Sequence, residues 1–425
     1  MKIKINLKRI LLTILFLLVV FYHTLTMLYY ICNNELNFLV VRYIVGTIAM
    51  NIAIVVIILY QFGKNIKLKT SISLKIIMLL WIFIPLVSAK INSQYVDKAN
   101  IAQTILWVLV FLAFYYATLQ CRKFPIDKRW ILIAYGVIIG LSLPLIKIHL
   151  SGHGDRGSVI FSVYLCLTIL PLVLCCIKHK KRYYPIIISL LMISATTKRT
   201  GILAAVIGCV IFYLTDGNVK IPIKKRLEKI AKITMVGTVL IALLVVALEG
   251  MGIDVVSRFT ELSSDGGSGR NYIWEKVFNG FQSSDITRHF LGHGINSVFL
   301  SLKIYSDVSI KAHNDFLEVL YDYGYVGVIM LAGIIIILLK EWVTQFKQHT
   351  QQLAIYSYSM ILMLFFASFS YFFIESSIIN FMSVYWGIIF AERTIINDRL
   401  KRRKHINRKR CVDETTTYKC NSSDI

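Results

Sequence analysis

Charge is scarce in this sequence. Asp, Glu, Lys and Arg make up 16% of its 425 residues, against about 25% in an ordinary soluble chain. Acidic residues are the rarer kind, 23 against 47 Lys and Arg, and the net charge is +24. The eight cysteines include no C-x-x-C pair, so no zinc site is indicated. What fills the chain instead is apolar: 56% of residues, with a mean hydropathy of +0.66. These residues fall into blocks of roughly 13–23, close to the 17–25 needed to cross a bilayer as a helix. A soluble enzyme, a disordered chain and a secreted disulfide scaffold are excluded. A β-barrel is excluded too, because its strands alternate apolar and polar residues.

The fold class expected is an all-α polytopic membrane protein with about twelve spans. They lie near 10–30, 38–60, 72–90, 101–120, 130–147, 158–177, 184–196, 202–215, 233–251, 325–340, 352–371 and 379–391. With the N-terminus inside, the inner segments hold 33 of the 47 Lys and Arg. The short outer segments 31–37, 91–100 and 148–157 hold only Lys98 and Arg156. This positive-inside pattern puts both termini in the cytoplasm. The basic run Lys401–Lys404 then suits anionic lipid heads better than nucleic acid. The first span is not expected to be a cleaved signal, since no small-residue site follows it at Tyr29–Cys32. Only Cys32 falls outside, so no extracellular disulfide is expected.

Four regions follow: spans one to nine over 1–251, a large external loop over 252–324, spans ten to twelve over 325–391, and a basic cytoplasmic tail over 392–425. The loop contains no proline and reads as structured. Trp274, Val277, Phe278 and Phe281 share one helical face. His313, Phe316, Leu317 and Leu320 share another, with Gly324 as a helix stop. Residues 263–269 are a flexible approach to the first of these helices. The segments 184–196 and 202–215 are short for spans, so the turn Thr197–Gly201 is expected below the outer surface. Arg199 there either meets a partner or ligand or snorkels with Lys198 to the interface.

Several residues can carry chemistry. Ser268, Gly269, Arg270 and Asn271 stand at a helix start, where free N–H groups and a guanidinium suit an anion. Arg270 can equally be a solvated loop residue. His313 is expected in the first turn of its helix, where the dipole favours the neutral imidazole that a general base needs. It can also be a packing residue, and Asn314 can cap the helix or fix the ring. In Gly292-His293-Gly294 the two glycines form a turn and His293 is the replaceable member. His149, His153 and His289 lack such settings. Asp315, Glu318 and Asp322 are expected on the solvated face of their helix. The outer face has no D-x-D or H-x-x-x-H pattern, so no metal and no other cofactor are expected.

Residues 268–327 read S-G-R-N-Y-I-W, then F-L-G-H-G-I-N-S, then K-A-H-N-D-F-L-E-V-L-Y-D-Y-G-Y-V-G. This order resembles the O-antigen ligase and polysaccharide polymerase superfamily. Asp322 stands at the family's acidic place, Gly324 and Gly327 at its glycines. Lys198-Arg199-Thr200-Gly201 resembles its S-R-x-x turn, and Asp155-Arg156-Gly157 its outer R-x-G. The resemblance implies a metal-independent, inverting membrane glycosyltransferase with its active site on the outer face of the plasma or inner membrane. It would take a glycan from a polyprenyl diphosphate donor to a glycan acceptor. His313 would be the base, and Arg199, Arg270 and Arg156 would bind the diphosphate. Asn314, Gly292 and Gly294 would support them. Membrane lipids and other polysaccharide-assembly proteins are the further partners, and nucleic acid is not one. Polymerase is favoured over ligase, because no feature identifies a lipid A core acceptor. A transporter or flippase and a non-catalytic scaffold are the competing classes.

Overall fold

The computed structural model describes residues 7–32, 72–91, 98–121, 126–150, 163–196, 198–216, 270–302, 310–348, 350–374 and 376–420, besides a few isolated positions. All regular structure among them is helical. In chain order the helices are α1 (Leu7–Ile31), α2 (Ile72–Ile91), α3 (Lys98–Cys121), α4 (Lys128–Leu150), α5 (Leu165–Thr168) and α6 (Leu170–Cys176). A 3-10 turn at His179–Lys181 leads into α7 (Tyr183–Ala195) and α8 (Arg199–Thr215). Then come α9 (Arg270–Gln282), α10 (Ile286–Leu291), α11 (Ser297–Ser301), α12 (Asp315–Lys347), α13 (Leu353–Phe369) and α14 (Ser376–Cys420).

Four stretches are long and apolar enough to cross a membrane: Leu12–Ile31, Ile101–Cys121, Lys128–Leu150 and Asp315–Lys347. Shorter apolar helices accompany them at Ile76–Lys90, Leu165–Cys176, Arg199–Thr215 and Leu353–Phe369. Hydrocarbon offers backbone groups no partner, so a helix, which satisfies its own, is the economical solution. The arrangement is that of an all-α membrane protein. The expected spans at 38–60 and 233–251 lie outside the described residues, isolated positions aside.

The helix at the centre is α3, with 78% of its apolar window buried. It packs along α14. Trp107 meets Phe373 at 5.8 Å between ring centroids, and Phe111 meets Phe390 at the same distance. Trp81 of α2 bridges Trp107 at 5.9 Å and Tyr323 of α12 at 6.5 Å. The short helices α7 and α8 form a hairpin closed at its open end by His179 Nε2 and Asp216 Oδ2, 2.5 Å apart. At about 1.5 Å per residue they reach only roughly 20 and 25 Å. Helix α8 lies against α13.

Several expectations need correction. The span at 158–177 is described from Val163 and is broken at Ile169, next to Pro171, which has no N–H for a continuous helix. Helix α14 continues past the expected span end at 391, through the basic residues to Cys420. The side chains of 401–404 lie outside the described set. Helix α12 starts at Asp315 rather than at His313; at Gly324 the backbone leaves helical angles, so the expected stop is present as the kink between its two helical segments.

Candidate active site

The kink at Gly324 organises the outer segment. Gly324 has φ 63°, and a Cβ there would sit 2.5 Å from the Phe290 carbonyl oxygen. A kinked helix leaves carbonyls without their usual i+4 donors. Here Tyr321 O accepts the His293 N–H at 2.9 Å and Asp322 O accepts the Gly294 N–H at 3.0 Å. Gly292 and Gly294 have φ of 77° and 113°, and a Cβ on Gly292 would lie 2.3 Å from the Asp322 backbone. The expected glycine turn is therefore present, and its purpose is close approach to α12. His293, read from the sequence as the replaceable member, makes contacts of its own. Its ring stacks on Tyr321 at 4.1 Å, and Nε2 lies 2.7 Å from Ser284 Oγ. Burial, with Arg288 nearby, lowers its pKa to about 4.

The three acids of α12 are buried, not solvated as expected. Asp315, Glu318 and Asp322 are at most 1% exposed. Each carboxylate holds backbone N–H groups of another segment. Asp315 Oδ2 accepts from Phe372 (2.9 Å) and Phe373 (2.7 Å). Glu318 Oε2 accepts from Ala312 at 2.7 Å. Asp322 accepts from Asn296 (2.7 Å), Ser297 (2.9 Å) and Val298 (3.2 Å). A helical face that looks polar is thus the seam along which three segments are fastened. The position of Asp315 and Glu318 in a first turn was the available signal, because acids there favour the helix dipole.

This seam fixes His313. Ala312 is held on both sides, by Glu318 at its N–H and by the Trp274 indole N–H at its carbonyl, 2.9 Å. Asn314 is the N-cap: its Oδ1 accepts from Phe316 (2.9 Å) and Leu317 (3.2 Å), and its Nδ2 donates to Ser368 O at 3.0 Å. Of the two roles open to Asn314, the cap is the observed one. His313 lies between them with φ 53°, a left-handed conformation. For a non-glycine residue that costs about 1–2 kcal/mol. Its N–H donates to the Tyr371 hydroxyl at 3.1 Å, and its ring stacks on Tyr371 at 4.9 Å. His313 directly precedes the cap and so stands outside the first turn in which it was expected. Burial is the first cause, followed by the charges of Arg270, Lys311 and Lys198, and together they lower its pKa to about 4.

Helix α9 buries Ile273, Val277 and Phe281, with Trp274 packed beside them. Phe278, expected on this face, is 45% exposed, because the buried ridge runs through positions i, i+4 and i+8 instead. Arg270 is the first residue of α9 and is part-buried, not a solvated loop end. Its Nη1 lies 3.5 Å from the Thr200 hydroxyl, next to Arg199 at the start of α8. Burial lowers its pKa, the Tyr164 and Tyr371 phenols oppose this, and the Arg199 charge adds to it. The starts of α8 and α9 and the His313 segment therefore converge. Lys311 joins them with its ammonium 5.3 Å from the Tyr371 ring centre. Tyr371, Tyr164 and Lys311 are members that the sequence reading missed, and Lys198, read there only as a neighbour of Arg199, is another. Arg156, Ser268 and Gly269 lie outside the described residues. His149 is buried, and His289 Nε2 lies 2.9 Å from Phe281 O. Among the described residues, no three His, Cys, Asp or Glu side chains are placed to hold a metal.

Fold and site together define a helical membrane protein with a half-buried imidazole near Arg270, Lys311 and Lys198. Residues 184–332 match the family model described as O-antigen ligase. The match runs from α7 into α12 and takes in Arg199, Arg270, the glycine turn and His313, and it supports the O-antigen ligase and polymerase superfamily. No curated protein matches the chain.

Proposed function

We propose that the protein transfers a glycan from a polyprenyl diphosphate carrier to a sugar hydroxyl of an acceptor, on the outer face of the plasma or inner membrane. The observation that carries this reading is the convergence of Arg199, Arg270 and a neutral His313 within the segment similar to O-antigen ligases. His313 takes the proton of the acceptor hydroxyl. The oxygen attacks the anomeric carbon from the face opposite the diphosphate. The bond from that carbon to the diphosphate oxygen breaks, and its electron pair leaves with the lipid diphosphate. Inversion follows from this in-line displacement. Arg199 and Arg270 receive the charge that develops on the leaving group, and preorganised donors in a site of low dielectric do this best. Arg156 is a further candidate for the diphosphate. In this reading the turn between the short helices α7 and α8 carries Arg199 below the outer surface, at the depth of a lipid-linked diphosphate, in a topology of twelve spans with both termini inside; the lengths of the two helices support it.

Polymerisation is the first reading and ligation the second, and the family match is compatible with both. Deletion of the gene followed by glycan gel analysis separates them. Loss of the long ladder with single repeats retained means polymerase. Long chains stranded on the lipid carrier mean ligase. An unchanged glycan profile would end the proposal.

A further inference from the structure

Tyr371 takes part in none of the chemistry described so far, yet it touches the residue on which that chemistry depends. It is 2% exposed and lies in the connection between α13 and α14. Its hydroxyl oxygen accepts the His313 N–H at 3.1 Å. Its ring lies against the imidazole at 4.9 Å with 30° between planes, and the Lys311 ammonium is 5.3 Å from the same ring centre. We propose that Tyr371 is the positioning residue for His313: the phenol oxygen holds the histidine backbone in its left-handed conformation and the ring sets the plane of the imidazole. This rests on His313 being the base.

The physical argument has three parts. A left-handed non-glycine residue relaxes to the right-handed or extended region unless its surroundings over-determine it. Ala312 and Asn314 are held by Glu318, Trp274 and Ser368, but the N–H of His313 itself has Tyr371 as its acceptor. A change in φ at His313 swings the whole imidazole, so an acceptor at that N–H aims the ring. The Tyr371 backbone, in turn, does not depend on its own side chain. Phe372 and Phe373, the next two residues, donate to Asp315 Oδ2 at 2.9 and 2.7 Å. The same carboxylate thus ties the Tyr371 connection to the helix that His313 precedes. Tyr371→Phe removes the oxygen while the ring and the connection keep their places.

The test is a double-mutant cycle with donor lipid extracted from the membranes of a deletion strain. Tyr371→Phe should lower kcat by about 10- to 100-fold, the loss expected when a reacting group is displaced by an ångström or so. KM and binding of undecaprenyl diphosphate should stay unchanged, and Tyr371→Leu, which also loses the ring, should be slower still. On a His313→Ala background, Tyr371→Phe should add no further loss. Melting temperature and gel filtration identify a variant that has lost its fold, and either substitution carries the test if the other does so. Wild-type kcat in Tyr371→Phe, or the same fold-loss on both backgrounds, would overturn the proposal and leave the base assignment standing. Full activity of His313→Ala alone would overturn the base assignment, and with it this proposal.

Discussion

The proposed base, His313, is an imidazole whose pKa is lowered by burial and by neighbouring cations. At the residue scale this has a consequence for pH. Burial first, then Arg270, Lys311 and Lys198, hold the His313 pKa at about 4. The base form therefore persists well below the usual histidine range, and the acid limb of kcat/KM, which reports the free enzyme, should fall near pH 4. A bound diphosphate adds negative charge beside the ring and raises its pKa, so the limb of kcat should lie at higher pH. Matched profiles of the two constants check this, and a kcat/KM limb near 6.5 would contradict it. His313→Ala should lose about 10²–10⁴-fold in transfer with expression and insertion intact, read from glycan gels and membrane immunoblots. Arg199→Lys and Arg270→Lys keep charge but lose the planar fork that fits phosphate oxygens. Both should lose most activity and bind undecaprenyl diphosphate more weakly, while His313→Ala binds it as the native chain does. Activity should also survive excess EDTA; loss restored by magnesium or manganese would refute metal independence.

At the scale of elements, the outer segment depends on fastening more than on its own helices. Helices α10 and α11 have six and five residues, too short to be stable alone. Asp322 secures α11 through its three backbone acceptor bonds. Asp322→Ala leaves those buried N–H groups without an acceptor, at a cost of about 1–3 kcal/mol for each that stays unsatisfied. The expected result is faster hydrogen exchange over 292–302 and a loss of transfer that accompanies it. Unchanged exchange in this segment would show that the seam is not what holds it. The polar spacing of Asp315, Glu318 and Asp322 was visible in the sequence. Its direction was not, because a row of acids at helical spacing looks the same whether it faces water or a neighbouring backbone.

At the scale of the whole molecule the testable property is orientation. Positive-inside bias puts the end of α1 outside, and Cys32 just beyond it is exposed. A membrane-impermeant maleimide should label Cys32 in intact spheroplasts and leave Cys411 and Cys420 unlabelled until the membrane is permeabilised. The reverse pattern would invert the topology and move the proposed site to the cytoplasmic face. The two ends of the bundle are chemically different. At the end away from His313, Arg393 pairs with Glu341 at 3.1 Å between α14 and α12. At the His313 end Asp315 and Glu318 accept from the backbone N–H groups of Phe372, Phe373 and Ala312.

Composition and order alone determined much of this protein. Apolar runs set the helical class, since hydrocarbon admits only helices and closed barrels, and barrel strands alternate instead of running continuously apolar. The order of Arg199, Arg270, Gly292-His293-Gly294 and His313-Asn314 marked the segment that the family match later covered. Helix starts and breaks were less legible. The start of α12 moved two residues past His313, because Asn314 is the better cap. What only the tertiary structure decided is which distant groups meet. Tyr371 is 58 residues from His313 in sequence, and Thr200 is 70 from Arg270. Spacing along a chain reports one helix face at a time. A pKa, a left-handed backbone and a shared site depend instead on what packs against that face.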